Sequence, residues 1–513
     1  MIKRKQACNP YLPSWEYVPD GEPHVFGDRV YVYGSHDRFD GNLFCMNDYI
    51  CYSAQVDDLT AWRYEGVIYR KNQDPRNAGG DHCLWAPDVA QGPDGRYYLY
   101  YCLDTLPQIG VAVCDTPAGR YEHLGLVKYA DGTILGEKEG DLIQFDPGIF
   151  IDDDGEIYLF SGNAPMWEKD KNKDNKNSQV MTLEKDMITI KKEPKPLIPT
   201  IHTSLRTGFE GHEFFEASSI RKVGSSYYFV YSSVCSHELC YCVSDKPDEG
   251  YRFGGTLVSI GDIFLDGREE KDALNFLGNT HGGMELINGQ WYIFYHRQTN
   301  RTQYSRQGCA EKIRILPDGR IPQAEITSCG LNRGPLWGKG SYEARIACNL
   351  WGRDGTVMSH PEKMTEEYPY FTQDGEDLEP DSEGWVYVCG EETHPQGPMQ
   401  YIANLRDGAV AGYKYFEFED VKEMTIRVRP HHAASGWTPS REEPYCKRNA
   451  GIFLISTEAG GSYVGKIPVE FPDGKLRAWR EFAGTLQIPD GVHALYLEYR
   501  GEGALDLLNF ELI

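Results

Sequence analysis

The stretch GDRVYVYGSHD, residues 27–37, sets a turn in front of an aromatic-rich strand, and the same device returns four more times. It comes back as DGRYYLYYCLD (94–104), DGEIYLFSGN (154–163), GSSYYFVYSS (224–233) and NGQWYIFYHRQ (288–298). The central tyrosines Tyr31, Tyr98, Tyr158, Tyr228 and Tyr292 follow at intervals of 67, 60, 70 and 64 residues. Self-similarity at a near-constant period marks a repeat architecture. Each unit reads as a strand, a glycine-containing turn and a second strand. Further apolar segments follow, such as GVAVCD (110–115) and CYCVSD (240–245). That is roughly four short strands per unit, with hardly any helical periodicity. One such sheet cannot bury both of its faces, whereas several set radially can. The pattern predicts an all-β chain with a five-bladed β-propeller over residues 1–330; the plainer alternative is a sandwich with aromatic hairpins.

Beyond residue 330 the period is lost. The glycine-rich TSCGLNRGPLWGKGSYEA (327–344) reads as the start of a connecting segment, taken over 331–367. Period-two strands resume over 368–513 in YKYFEFEDV (413–421), EMTIRVRP (423–430), GIFLIST (451–457), HALYLEYR (493–500) and ALDLLNFELI (504–513), the pattern of a jelly-roll-like β-sandwich.

Composition narrows the function. The 513 residues carry 52 Lys and Arg against 77 Asp and Glu, a formal charge of −25, which repels phosphate backbones and anionic lipid. No nucleic-acid or membrane partner is expected. No run of 18 apolar residues is present. The basic start MIKRKQACNPYLP (1–13) has no apolar stretch behind it, so the expectation is a cytoplasmic protein. The 14 Cys are scattered, without metal-finger spacing, and read as reduced, packed thiols. The 10 Trp, 34 Tyr and 21 Phe suit both sheet surfaces and sugar contact.

Counting back eleven or twelve residues from each repeat tyrosine gives Asp20, Ala86, Asp146, Glu216 and His281. In this register all five fall where the chain enters the innermost strand of a blade, and so ring one mouth of the central channel. Three carboxyls and a histidine converge there. Like charges gathered this closely raise at least one carboxyl pKa, which keeps an acid protonated near neutrality. An acid and a base in an aromatic-lined mouth point to glycoside hydrolysis. Each residue also has a structural reading. Pro-Asp-Gly recurs at Asp20, Asp94, Asp318, Asp473 and Asp490 as a turn signal, and Glu22 rivals Asp20. Asp146 can cap a turn, and His281 can be a satisfied channel histidine. Glu216, bracketed by apolar residues in a strand, is costly unless it has a task.

These residues resemble glycoside hydrolase family 43, the five-bladed-propeller glycosidases, over residues 8 to about 325. PDGEPHVFGDRVYVYGSHD (19–37) looks like its opening segment and LWAPDV (84–89) like its second-blade signature. FDPGIFIDDDGEIYLF (145–160) looks like its Asp-Pro motif and FFEASSIRKVGSSYYFVYSS (214–233) like its general-acid strand. The resemblance implies Asp20 as general base, Glu216 as general acid and Asp146 as the carboxylate that orients the acid and tunes its pKa. The family usually has Pro directly after the base, whereas Gly21 follows Asp20 here and the proline is Pro23; Glu22-Pro23 is the displaced alternative. The resemblance also implies Trp85 as a sugar platform and Arg306 near the substrate or the third carboxylate. His281 would be the channel histidine, beside which some members hold calcium through waters. No cofactor is needed for the chemistry, and any calcium would be structural or electrostatic. The C-terminal region is similar, more loosely, to family 6 carbohydrate-binding modules, on WREFAGTLQIPDGVHALYLEY (479–499) and GALDLLNFELI (503–513). Trp479 is either a stacking or a packed residue, and the ligand Asn that relatives place six residues before the final Phe is Ala504 here. The resulting expectation is an inverting exo-glycosidase, α-L-arabinofuranosidase or β-xylosidase, acting on pentose-containing oligosaccharides. An endo-acting arabinanase and a non-catalytic sugar-binding propeller are the alternatives, and the sandwich is expected to buttress the propeller more than to bind sugar.

Overall fold

The repeat strands carry apolar side chains on both faces, so each must be covered twice. In the computed structural model, which describes residues 5–166, 175–356, 367–374, 399–431, 449–471 and 478–513, neighbouring blades provide that cover. Tyr31 and Tyr33 pack with Leu99 and Tyr101 of the second blade, and Tyr98 and Tyr100 with Ile157 and Leu159 of the third. Tyr158 and Phe160 meet Phe229 and Tyr231, and Tyr228 and Val230 meet Ile293 and Tyr295. Tyr292 and Phe294 close the circle on Val30 and Val32. Five interblade cores replace one central core, which is why the repeats read as continuous apolar runs.

Four blades are four-stranded antiparallel sheets in sequence order. Their innermost strands are Glu22–Phe26, Leu84–Gln91, Gly148–Ile151 and Phe214–Val223. The fifth blade departs from the expected count, with three strands: Met284–Ile287, Gln290–Gln298 and Arg306–Ile313. The five inner strands abut one another in a closed ring around the channel. An N-terminal segment lies along the outer edge of the fifth blade. The Tyr11 amide donates to the Gly308 carbonyl at 3.2 Å. The Asn9 carboxamide donates to the Ala310 carbonyl at 3.0 Å and accepts from the Ala310 amide at 2.9 Å, standing in for a strand's backbone. The ring is thereby fastened by the two ends of the propeller, and edge groups that would otherwise be unpaired are satisfied.

Within the stretch 331–367, whose residues 357–366 lie outside the described ones, the segment 336–351 forms strands where a connector was expected. Leu336–Trp337 and Asn349–Trp351 pair with Val410–Phe418, and Gly340–Glu343 pairs with Leu505–Leu512. These strands belong to the two six-stranded sheets of the C-terminal sandwich, whose core includes Phe416, Ile426, Phe453, Leu497 and Phe510. Among the described residues no helix is long and apolar enough to cross a membrane, and every cysteine is a free thiol.

The two domains are joined by polar contacts. Arg297 of the fifth blade donates to the carbonyls of Ala347 (2.6 Å) and Arg345 (3.2 Å) and stacks over Phe371. Tyr17 donates to Gln373 Oε1 at 3.0 Å and accepts from Gln400 Nε2 at 2.7 Å. Thr372 donates to Asn300 Oδ1 at 3.0 Å. Lys414 of the sandwich reaches Asp262 (3.3 Å) and Glu325 (2.7 Å) of the propeller, and both Lys414 and Asp262 are buried. Burial raises the Asp262 carboxyl to about 6 against the pull of Lys414.

Asp262 thus stands above its unfolded value of about 3.9. Its titration favours the fold at low pH, and that contribution is lost as pH climbs through about 6. Lys414→Met removes the cation that the ionised form needs. The expected cost is about 3–5 kcal/mol at pH 8, read as a fall of several degrees in melting temperature, and distinctly less at pH 5. An equal shift at both values would show that the pair does not hold the joint.

Candidate active site

The inner strands begin, and the second strands end, at the same channel mouth, because each pair is an antiparallel hairpin. Asp20, Asp146, Glu216 and His281 meet there, as the register predicts. Asp20 Oδ1 accepts from Arg306 Nη1 at 3.0 Å, lies 3.1 Å from His296 Nδ1, and is 4.0 Å from His281 Nδ1. Asp146 Oδ2 accepts the Ala217 amide at 3.2 Å and faces His281 Nδ1 at 3.4 Å. The pairing of Phe214–Val223 with its neighbour slips at Phe214/Glu216 and again at Glu216/Ser219. Such a bulge re-aims a side chain. Here Glu216 Oε2 accepts from Asn163 Nδ2 at 3.0 Å.

The electrostatics separate the three carboxyls. Burial would raise Asp20, but the Arg306 guanidinium, with the His281 charge behind it, holds it well below the usual carboxylate range. Burial and then the Asp146 charge push Glu216 well above that range. Burial lifts Asp146 too, against His281 and the Ala217 amide. Between these neighbours the proton rests on Glu216, which has no cation in hydrogen-bond contact among the described residues. Burial opposes protonation of His281, yet the Asp146, Asp20 and Glu22 charges outweigh it and raise its pKa to about 9. His296 falls to about 4 through burial and the Arg306 charge, so it is neutral and its Nδ1 accepts the Asp20 amide at 3.1 Å. One carboxyl that keeps its proton and one that stays ionised at the same channel mouth have the protonation states that an acid and a base need.

Glu22, the rival of Asp20, lies deeper in the channel, with Oε1 accepting from Ser219 (2.8 Å) and Arg221 (2.8 Å). Arg306 does not approach Asp146, one of its two expected targets; its contacts are Asp20, Asp37, Cys45 and the Phe44 ring. Trp85 stands at the mouth, half-buried, edge-on to Phe145 at 5.0 Å and to Phe44 at 6.3 Å, with its carbonyl held by Tyr49. Phe44 in turn meets Tyr304 at 4.8 Å. His281 Nδ1 is turned to the carboxyls of Asp146 and Asp20. The close groupings of potential ligand atoms among the described residues, Glu22–His24–Asp88 and His212–Glu238–Cys240, leave His281 out. Trp479 lies under Arg429 at 4.2 Å and edge-on to Tyr401 at 5.4 Å, packed in a cluster with Phe276 of the propeller.

The site residues missed by the register are Asp37, Asn163, His296 and the rings of Phe44, Phe145 and Tyr304. Asp37, Asn163 and His296 come four to six residues after a repeat tyrosine, at the end of a second strand. Polar residues closing an apolar strand were the available signal.

The family model for glycosyl hydrolases family 43 matches residues 18–321. A xylosidase/arabinosidase from Thermoclostridium stercorarium is 50% identical over 512 residues, covering 99% of this chain and 99% of its own. Another, from Bacteroides ovatus, is 28% identical over 317 residues, 56% of this chain and 87% of its own. The crystal structure of a glycoside hydrolase family 43 arabinoxylan arabinofuranohydrolase from Bacillus subtilis, in complex with cellotetraose, matches with a TM-score of 0.50. It is 19% identical, over 99% of this chain and 97% of that one, a likeness of fold alone.

The geometry predicts that the His281 imidazole titrates near 9 when followed by NMR of ¹³C-labelled histidine, with His281→Gln assigning the signal. In Asp146→Asn the value should fall by about one unit or more, since an adjacent opposite charge is worth one to three. A value unchanged by Asp146→Asn would mean that the two do not form an ion pair.

Proposed function

This chain belongs to glycosyl hydrolases family 43, and on that premise we propose that it is a xylosidase/arabinosidase releasing terminal pentose residues from oligosaccharides. The observation that carries the reading is the separation of two carboxyls: Asp20 held ionised by Arg306, and Glu216 held protonated by burial and the Asp146 charge. The relative that is 50% identical from end to end supports the substrate class. The aromatic rings at the mouth suit the flat apolar face of a small sugar.

The family's reaction is inversion. Glu216 gives its proton to the departing glycosidic oxygen as the bond to the anomeric carbon breaks. Asp20 takes a proton from a water whose oxygen bonds to that carbon from the opposite face, so the product has the inverted anomeric configuration. As the proton leaves, Glu216 becomes anionic beside Asp146, and His281 is the cation nearest to that developing charge. Asp146 also fixes the backbone next to the acid through the Ala217 amide.

Glu216→Gln is expected to cost roughly 10²–10⁴-fold on unactivated xylo- or arabino-oligosaccharides and much less on nitrophenyl glycosides, whose leaving group needs little protonation. Asp20→Asn should lose activity on both, because water must be activated either way. Nitrophenyl arabinofuranoside and nitrophenyl xyloside assayed side by side, with the first-formed anomer read by proton NMR, test the rest. Equal loss on both leaving groups in Glu216→Gln, or a retained anomer, would overturn the assignment.

A further inference from the structure

Arg306 meets two carboxylates, and only one of them has a part in the reaction above. Asp37, fully buried, accepts from Arg306 Nε at 2.8 Å and Arg306 Nη2 at 3.0 Å, a two-edged clasp of the guanidinium. It also accepts the Arg306 amide at 3.1 Å and the Cys45 amide at 2.8 Å. With Nε and Nη2 engaged, Nη1 is the nitrogen left to reach Asp20. The Phe44 ring under the guanidinium, at 4.6 Å, closes off one of its faces.

We propose that Asp37 is a positioning residue of the reaction, holding Arg306 so that a single N–H reaches Asp20 and sharing the guanidinium charge between two carboxylates. A guanidinium free to turn would offer Asp20 both N–H groups of one edge, the bidentate arrangement that arginine and carboxylate favour. Asp20 would then be locked at both oxygens and would be a weaker base towards water. The clasp prevents this. Among the described residues it leaves Oδ2 of Asp20 with the Cys45 thiol alone, 4.0 Å away. The groups around Asp20 are otherwise His296 and His281, with Asp146 beyond His281. None of them can take over the clasp, since none contacts Arg306. Backbone order supports the same role: Asp37 ties the Arg306 strand to the loop bearing Cys45, and the Asp37 amide donates to the Tyr17 carbonyl at 2.9 Å, three residues before Asp20. The inference rests on the reading of Asp20 as the base.

Asp37→Asn, assayed in the full chain, is expected to lower kcat by roughly 10–100-fold with KM little changed. The loss should be the same on a nitrophenyl pentoside and on an unactivated disaccharide, because it touches water activation and not leaving-group protonation. Combined with Arg306→Lys, it should add nothing to the Arg306→Lys loss, whereas a purely structural contribution would add. Wild-type kcat, a loss confined to poor leaving groups, or additivity with Arg306→Lys would overturn the proposal. Should Asp37→Asn fail to fold, Asp37→Glu, which keeps the charge and lengthens the reach, carries the test. It should fold and show the same leaving-group-independent loss. Wild-type turnover in Asp37→Glu, or failure of this variant to fold as well, would make Asp37 a residue of stability alone. Asp20→Asn, run in parallel, separates the two failures. If that variant stays active, the base assignment is what falls; if it is inactive while Asp37→Asn matches wild type, only the present inference falls.

Discussion

Three carboxyls share one desolvated channel mouth, and a fourth, Asp37, lies just behind it. Like charges at that range cannot all be ionised without cations among them. Arg306 serves Asp37 and Asp20, and His281 serves Asp146 and, at longer range, Asp20. These two cations offset two of the three negative charges on Asp20, Asp37 and Asp146. Among the described residues, a further charge on Glu216 would have no counter-ion in contact; its hydrogen bond is to the carboxamide of Asn163. The neutral state of Glu216 therefore follows from its burial and the Asp146 charge, with the cations placed at the other carboxylates. Any change that moved Arg306 towards Glu216 would alter the protonation of both Asp20 and Glu216 at once.

The cations, in turn, depend on loops that the propeller alone does not hold. Tyr17 precedes Asp20 by three residues, and its hydroxyl is fixed by Gln373 and Gln400 of the sandwich. The segment leading to Arg306 is tied at Asn300 to Thr372, while Arg301 pairs with Asp40 in the loop that carries Phe44 and Cys45. Arg297, on the strand that supplies His296, donates to two sandwich carbonyls. Each of these contacts is polar and directional, so it sets position where an apolar contact would only set distance. The sandwich thus contacts segments that lead, on either side, to Asp20 and its Arg306 partner.

The five-fold repeat and the ring of Asp20, Asp146, Glu216 and His281 were legible because both follow from period and register, which survive in a single sequence. What was not legible depends on side chains meeting across blades. Arg306 was expected near the substrate or Asp146; its bonds to Asp20 and Asp37 join the fifth blade to the first, which no register within one blade contains. The stretch 331–367 read as a connector because its strands are two to four residues long and interrupted by glycines. Those strands are fixed by pairing partners about sixty or more residues away, which periodicity within a window cannot reveal. The missing fourth strand of the last blade went unread for a related reason. Its outer edge is met by Asn9, whose side chain imitates a backbone, and no strand pattern announces that.

The backbone at the mouth adds a final constraint. Asp20, Asp146 and Ala217 have φ of 56°, 44° and 70°, a left-handed region that costs a residue with a Cβ of order 1 kcal/mol or more. Two of the three are site carboxylates, and the third follows Glu216. They support one another: the Asp20 amide is bonded by His296, and the Ala217 amide by Asp146 itself. A strand entering its blade in ordinary extended geometry would direct successive side chains alternately to its two faces, into the interblade cores. Turning the chain through the left-handed region just before or at the start of the inner strand breaks that alternation, and so allows the carboxyl to face the channel instead. The strain is thus tied to aim. The residues that relieve it, His296 and Asp146, are the same ones that set the charge of the site, so the conformation and the chemistry of the mouth cannot be altered independently.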